Sequence, residues 1–143
     1  MPSHIVTLGL CTLALASVAR AEDIAPGLWE LSLEARVDSD AGSQPAPVTL
    51  SQCITKDDAR DPSKILGPIA AAGATGCSYS KKSYVGQEFR FTMECSGTLE
   101  LKTSGEVTFS ATKLRGMIAT SSSIDGKKVE IESALVGRRL GDC

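Results

Sequence analysis

Histidine is almost absent from this sequence: the 143 residues include one, His4. It precedes an apolar run of 14 residues (5–18) that is followed by Ala-Arg-Ala, ending at Ala21. This pattern predicts a secretory signal peptide over 1–21, since the run is shorter than the roughly 20 residues that cross a bilayer. We expect cleavage near Ala21 and export to the periplasm or outside the cell. The mature chain, 22–143, would then lack histidine, which excludes Ser–His–Asp and Cys–His catalysis and His-ligated zinc.

Clusters of basic residues are also missing. Without Arg20, the predicted mature chain has 14 basic and 17 acidic residues, and its longest basic runs are pairs. Because binding to phosphates requires a basic stripe, we predict no nucleic-acid partner. The remaining 122 residues suit one domain, and we predict no cofactor, no bound metal and no stable membrane insertion.

The cysteines have no Cys-x-x-Cys spacing, which argues against a metal site. Four remain after Cys11 is removed with the signal peptide: Cys53, Cys77, Cys95 and Cys143. An even number in an exported chain predicts two disulfides, for which three connectivities exist. A cysteine at position 143 would tie down a terminus that otherwise frays.

Alternation of apolar and polar residues is the dominant pattern. In residues 87–95, for example, Phe89, Phe91 and Met93 alternate with charged or polar side chains, which is typical of half-buried antiparallel strands. We predict strands at 28–37, 48–53, 78–85, 87–95, 98–103, 106–112, 116–124 and 128–136. Turn dipeptides such as Ser104-Gly105 separate them.

The alternation breaks at 54–76, where a capping-box spacing predicts one or two short helical turns. The predicted fold is therefore all-β. It is an antiparallel up-and-down meander of about eight strands, forming a curved sheet or half-barrel, with a short helical insertion between strands two and three.

The direction of each predicted strand follows from this meander. If every strand reverses the last, all four cysteines fall at one rim, together with Trp29 and the pair Arg138-Arg139. The preferred pairing is then Cys53–Cys77, closing the helical insertion, with Cys95–Cys143 holding the tail. Cys77–Cys95 is the rival, because these residues would be cross-strand neighbours in a hairpin centred on Gly86.

No catalytic arrangement stands out among the other side chains. Ser78-Tyr79-Ser80-Lys81 matches the Ser-x-x-Lys motif of penicillin-recognising enzymes, but on a regular strand Ser78 and Lys81 face opposite ways. The alternating carboxylates at 38–42 lack the glycine position and the late glutamate of a calcium loop. We therefore predict a protein that is not an enzyme.

Three stretches carry a family resemblance: residues 26–30 (PGLWE), 53–55 (CIT) followed by acidic residues, and 137–143 (GRRLGDC). In these the chain resembles the exported proteobacterial proteins grouped as domain of unknown function 3617. The resemblance implies a periplasmic protein of unestablished activity, with no catalytic residues to carry over.

A looser resemblance is to lipocalin-type barrels, which begin their first strand with Gly-x-Trp, as in Gly27-Leu28-Trp29. Those barrels pack an arginine from the end of the last strand across the tryptophan. The resemblance implies that Arg138 or Arg139 covers Trp29, the alternative being a core tryptophan and two solvated arginines.

Two functions fit this sequence. The first is a binding module that holds an apolar small molecule or lipid between the sheet and the segment 65–72; the alternative for that segment is a plug that completes the core. The second is a structural or interaction protein that binds an envelope protein partner, with 120–123 as plausible contact residues.

Overall fold

The computed structural model describes residues 23–36, 45–71 and 73–143. The predicted signal peptide with its cleavage position and the carboxylates at 38–42 lie outside these ranges. The strands are β1 (Gly27–Arg36), β2 (Val48–Ile54), β3 (Cys77–Val85), β4 (Glu88–Ser96), β5 (Glu100–Phe109), β6 (Lys113–Ile124) and β7 (Lys127–Gly141). A 3-10 turn (Asp58–Arg60) and one helix, α1 (Pro62–Ala70), lie between β2 and β3.

All seven strands form one antiparallel sheet in the order β2-β1-β7-β6-β5-β4-β3. Successive strands are neighbours except β2 and β3, which are the two edges, and β1 pairs with β7 instead. The sheet is thus an up-and-down barrel opened between β2 and β3, the place that the helical insertion occupies in the chain. This confirms the predicted all-β antiparallel architecture and the position of the insertion.

The structure has seven strands where about eight were expected. The predicted turn at Ser104-Gly105 lies inside β5, which continues from Glu100 to Phe109. Gly105 is paired with Phe91 of β4, and a Cβ at position 105 would lie 2.6 Å from Cε1 of that ring. This glycine therefore makes room for an aromatic ring on the neighbouring strand and does not mark a turn.

The two ends of the sheet can be defined from the strand register. At the Trp29 end, β1 begins and β2 and β7 end, since Leu28 pairs with both Cys53 and Gly141. At the Cys77 end, β3 begins and β4 ends, since Cys77 pairs with Cys95. β2 and β3 run in the same direction, so the segment between them crosses the sheet from the Trp29 end to the Cys77 end.

The preferred disulfide pairing was wrong. The bonds are Cys53–Cys143, with Cα atoms 5.8 Å apart, and Cys77–Cys95, with Cα atoms 3.9 Å apart. The expectation that all four cysteines share one rim fails because β2 and β3 are parallel to each other, which puts Cys77 and Cys95 at the far end of the sheet. Two disulfides are confirmed, and the second joins the cross-strand neighbours of the rival pairing.

The core lies on one face of the sheet, called here the inner face. It contains Trp29 and Leu31 of β1, the aromatic side chains of β4, and aliphatic side chains of β5, β6 and β7. The other face, the outer face, carries charged and polar residues, as in β4, where Glu88, Arg90 and Glu94 alternate with buried side chains. The alternation of apolar and polar residues in the sequence therefore corresponds to the inner and outer faces of the sheet.

Candidate functional site

The helix α1 completes the inner-face core. It begins after Asp61, whose side chain accepts a hydrogen bond from the Ser63 backbone N–H at 3.1 Å, and it has a proline in the first turn. Its apolar face, Ile65, Leu66 and Ile69, is at most 1% exposed and belongs to the same core cluster as the sheet. These side chains fill the space between the sheet and this segment, as in the alternative that the segment completes the core.

A tyrosine–carboxylate network fixes the start of α1 to β3. The Tyr84 hydroxyl donates to Asp61 Oδ1 at 2.7 Å, and the Tyr79 hydroxyl donates to the Ser63 carbonyl at 2.6 Å. Burial raises the pKa of Tyr79 well above its usual value. Partial burial alone would raise the pKa of Asp61, but hydrogen bonds from Ser63 and Tyr84 outweigh it and lower that pKa. The phenols therefore act as protonated donors that hold the helix in place.

Trp29 and Arg139 are cross-strand partners at the Trp29 end. Trp29 is fully buried, and its indole N–H donates to the Ala25 carbonyl at 2.9 Å. Arg139 Nε donates to the Pro26 carbonyl at 2.8 Å, and its guanidinium also bonds to Asp142. Arg138 lies on the outer face instead, where its Nη2 is 2.8 Å from Glu30. Of the two arginines, Arg139 is the cross-strand partner of the tryptophan, and its hydrogen bonds join Pro26 to Asp142.

The inner face is exposed to solvent toward the Cys77 end of β1, β2 and β7. Three aliphatic side chains there are exposed: Val48 by 49%, Val129 by 38% and Ile131 by 39%. The register puts Val48 opposite the half-buried Leu33, and it puts Val129 and Ile131 on the same face as buried Leu135. We call Leu33, Val48, Val129 and Ile131 the open inner patch.

Hydroxyl groups border the open inner patch on β5 and β6. Thr103, which is 1% exposed, lies with its Oγ1 3.2 Å from Oγ1 of Thr120 across the strands. Ser122 is the cross-strand partner of Val129. Among the described residues, the Ser122 Oγ is the buried side-chain oxygen without a hydrogen-bond partner. The patch therefore combines exposed aliphatic carbons with an oxygen whose hydrogen-bonding capacity is unused.

The outer face of the Cys77 end holds an open cleft of about 550 Å³. Its lining includes Glu94, Lys102, Ser121, Ser123 and Lys128, and Lys102 Nζ lies 3.7 Å from Glu94 Oε1. Residues 120–123, predicted as contact residues, divide between the two faces of the sheet. Because side chains alternate along β6, Ser121 and Ser123 face this cleft, while Thr120 and Ser122 face inward.

The Ser-x-x-Lys motif lies on β3 with a geometry that differs from expectation. A register shift between Tyr79 and Lys81 pairs Ser78 with Glu94 and Lys81 with Thr92, so both side chains are on the outer face. They were expected to face opposite ways, which holds for a strand without a bulge. Both are exposed on an edge strand, and Ser78 borders the outer cleft.

Two further findings concern metals and membranes. Within the described ranges, no group of three or more histidine, cysteine or acidic side chains could hold a metal ion. Over the same residues, no helix is long and apolar enough to cross a membrane.

Comparison with known proteins gives one match. A family model described as "Protein of unknown function (DUF3617)" matches residues 24–143. Among curated proteins and among solved structures, nothing matches the chain.

Proposed function

The chain belongs to this family of unknown function, and we propose that it is an exported, non-catalytic module that binds an apolar small molecule or lipid at the open inner patch. Export is supported by the apolar run and Ala-x-Ala ending before residue 22, and by two disulfides, which persist in oxidising compartments. The periplasm and the outside of the cell both fit these features.

One observation carries the binding proposal. Val48, Val129 and Ile131 are exposed on the inner face, where the other aliphatic side chains whose burial is described are buried or half-buried. Exposed aliphatic side chains grouped on a sheet face favour contact with an apolar partner, because covering them removes apolar surface from water. The ligand site is therefore placed beside the helix-covered core and not between α1 and the sheet.

The chemistry of the patch also favours a class of ligand. We propose that a polar group of the ligand forms a hydrogen bond with Ser122 Oγ, which is buried and has no hydrogen-bond partner among the described residues, while the aliphatic side chains contact a chain or ring. An amphipathic molecule with one small polar group, such as a fatty acid or a lipid fragment, matches both.

The test uses the oxidised protein, 22–143, and a fluorescent fatty-acid analogue. We expect the double variant Val129→Ser/Ile131→Ser to weaken binding at least several-fold, because it removes apolar contact area. The matched control is Val136→Ser, which changes an equally exposed valine (46%) on the outer face of the same strand. Binding that is unchanged in the double variant, or weakened equally by the control, would refute the patch as the site.

The outer cleft supports a second candidate, an interaction protein with an envelope partner. Its hydroxyls and its charges of both signs suit a polar protein surface better than a lipid. Purification of the exported protein from the cell envelope in which it is made distinguishes between the two proposed functions. Bound lipid in native mass spectrometry favours the first, and a co-purifying protein that is lost with Ser121→Arg/Ser123→Arg favours the second.

A further inference from the structure

The two edges of the open sheet differ in how they are protected. β3 carries Lys81 and Lys82 in mid-strand and has a register shift there, and both features discourage another strand from pairing. β2 has the sequence VTLSQCI, with no charge, proline or glycine. Its residues 48, 49, 51 and 53 are exposed. The β2 edge therefore lacks the usual defences against strand pairing.

The backbone of β2 is paired on one side. Among the described residues, β1 is the strand that pairs with the β2 backbone. The contact of β2 with α1 is made by a side chain: Gln52 donates a hydrogen bond to the Ile65 carbonyl at 3.1 Å. Alternate backbone N–H and C=O groups of an edge strand point away from its only neighbour. These groups are available for pairing with a further strand.

This edge is also held in a fixed position. The Cys53–Cys143 bond ties β2 across β1 to the end of β7, and Ile54 is buried in the core. On the inner face, the Gln52 side chain also joins the strand to α1 through its hydrogen bond to the Ile65 carbonyl. A strand that is ordered before it pairs loses little conformational entropy on association.

We propose that β2 pairs with β2 of a second copy of this chain, antiparallel about a two-fold axis at Ser51. The strand is uncharged, so self-pairing brings no like charges opposite each other. The axis pairs position 48 with 54 and 50 with 52, so inner-facing side chains meet inner-facing ones. The result is a continuous sheet with both inner faces on one side. This inference does not depend on the proposed ligand.

One strand pair buries less than a standard interface of about 1,600 Å², so we expect a weak dimer whose population rises with concentration. The test measures mass by light scattering, and hydrogen exchange of the β2 amides, up to roughly 100 µM protein. The variant is Thr49→Lys/Ser51→Lys, which adds charge on the outer face of β2 and leaves the open inner patch unchanged. The control, Ser80→Lys, adds a lysine to the β3 edge.

We expect the average mass of the wild type and of the β3 control to rise from the monomer toward the dimer value, with half of the β2 amides gaining protection as concentration rises. The β2 variant should stay monomeric over the same range. A monomeric wild type, or a dimer that persists in the β2 variant, would overturn the proposal. So would protection of β2 that requires a different protein, since the occupant would then not be a second copy.

Discussion

The Trp29 end and the Cys77 end of the sheet each have a disulfide, yet they differ in how completely their side chains are buried and paired. At the Trp29 end, the indole N–H and the Arg139 guanidinium both have carbonyl partners, and Trp29 is fully buried. At the Cys77 end, Val129 and Ile131 are exposed, and the Ser122 oxygen has no hydrogen-bond partner within the part of the chain that the structure describes. The first arrangement buries and pairs its groups, whereas the second leaves aliphatic surface exposed, which is where we propose the ligand binds.

The largest expected difference between the ends concerns the disulfides. Their sequence separations are 90 for Cys53–Cys143 and 18 for Cys77–Cys95. In the chain-entropy model, replacing both cysteines by serine costs about 4–5 kcal/mol for the long loop and about 3 kcal/mol for the short one. Urea unfolding monitored by Trp29 fluorescence measures both. If replacing Cys77 and Cys95 lowered the free energy of unfolding as much as replacing Cys53 and Cys143, or more, the expected difference between the two ends would be wrong.

A second contrast tests the packing of each end. Trp29→Ala empties a fully buried site and should lower the free energy of unfolding by about 3–5 kcal/mol. Ile131→Ala, at a residue that is 39% exposed, should cost less than about 1 kcal/mol. Urea unfolding followed by circular dichroism compares them without relying on the tryptophan. A costly Ile131→Ala would mean that the open inner patch is part of the core.

The smallest expected effect is a pH dependence from the helix anchor. Burial raises the pKa of Tyr79 in the folded protein above its ordinary value of 10, so its stabilising contribution is complete below pH 10 and is lost as the pH rises above it. Tyr79→Phe should therefore flatten the alkaline decline of the melting temperature. Ser80→Ala, next to it but exposed, is the control. An unchanged alkaline decline in Tyr79→Phe would refute this anchor.

Local pattern was enough to predict most of the fold. The alternation in 87–95 and the break at 54–76 predicted strand β4 and the helical insertion. Gly105 was misread because a glycine that accommodates a ring on the next strand has the same local sequence as one that marks a turn. The pairing partner decides between the two, and it is distant in sequence.

The candidate site was less predictable for the same reason. The segment 65–72 was correctly recognised as apolar, but its sequence does not say whether it covers a ligand or a core. The open inner patch depends on which part of the sheet α1 leaves uncovered, and Leu33, Val48 and Ile131 come from three strands. Arg139 could be distinguished from Arg138 only once the β1–β7 register was known.

The pairing of β1 with β7 sets an order of events during folding. Trp29 is made early, yet its cross-strand partner Arg139 is more than a hundred residues later, and the cysteine that fastens β2 is at position 143. Contacts at such separation form slowly, because a long loop must close before they are made. The β1–β2 pair and the β3–β7 hairpins can assemble as they emerge, whereas β1 can join β7, and Cys53 can join Cys143, only after those later residues have been added. A newly made chain therefore cannot complete the central β1–β7 pairing before β7 has been added.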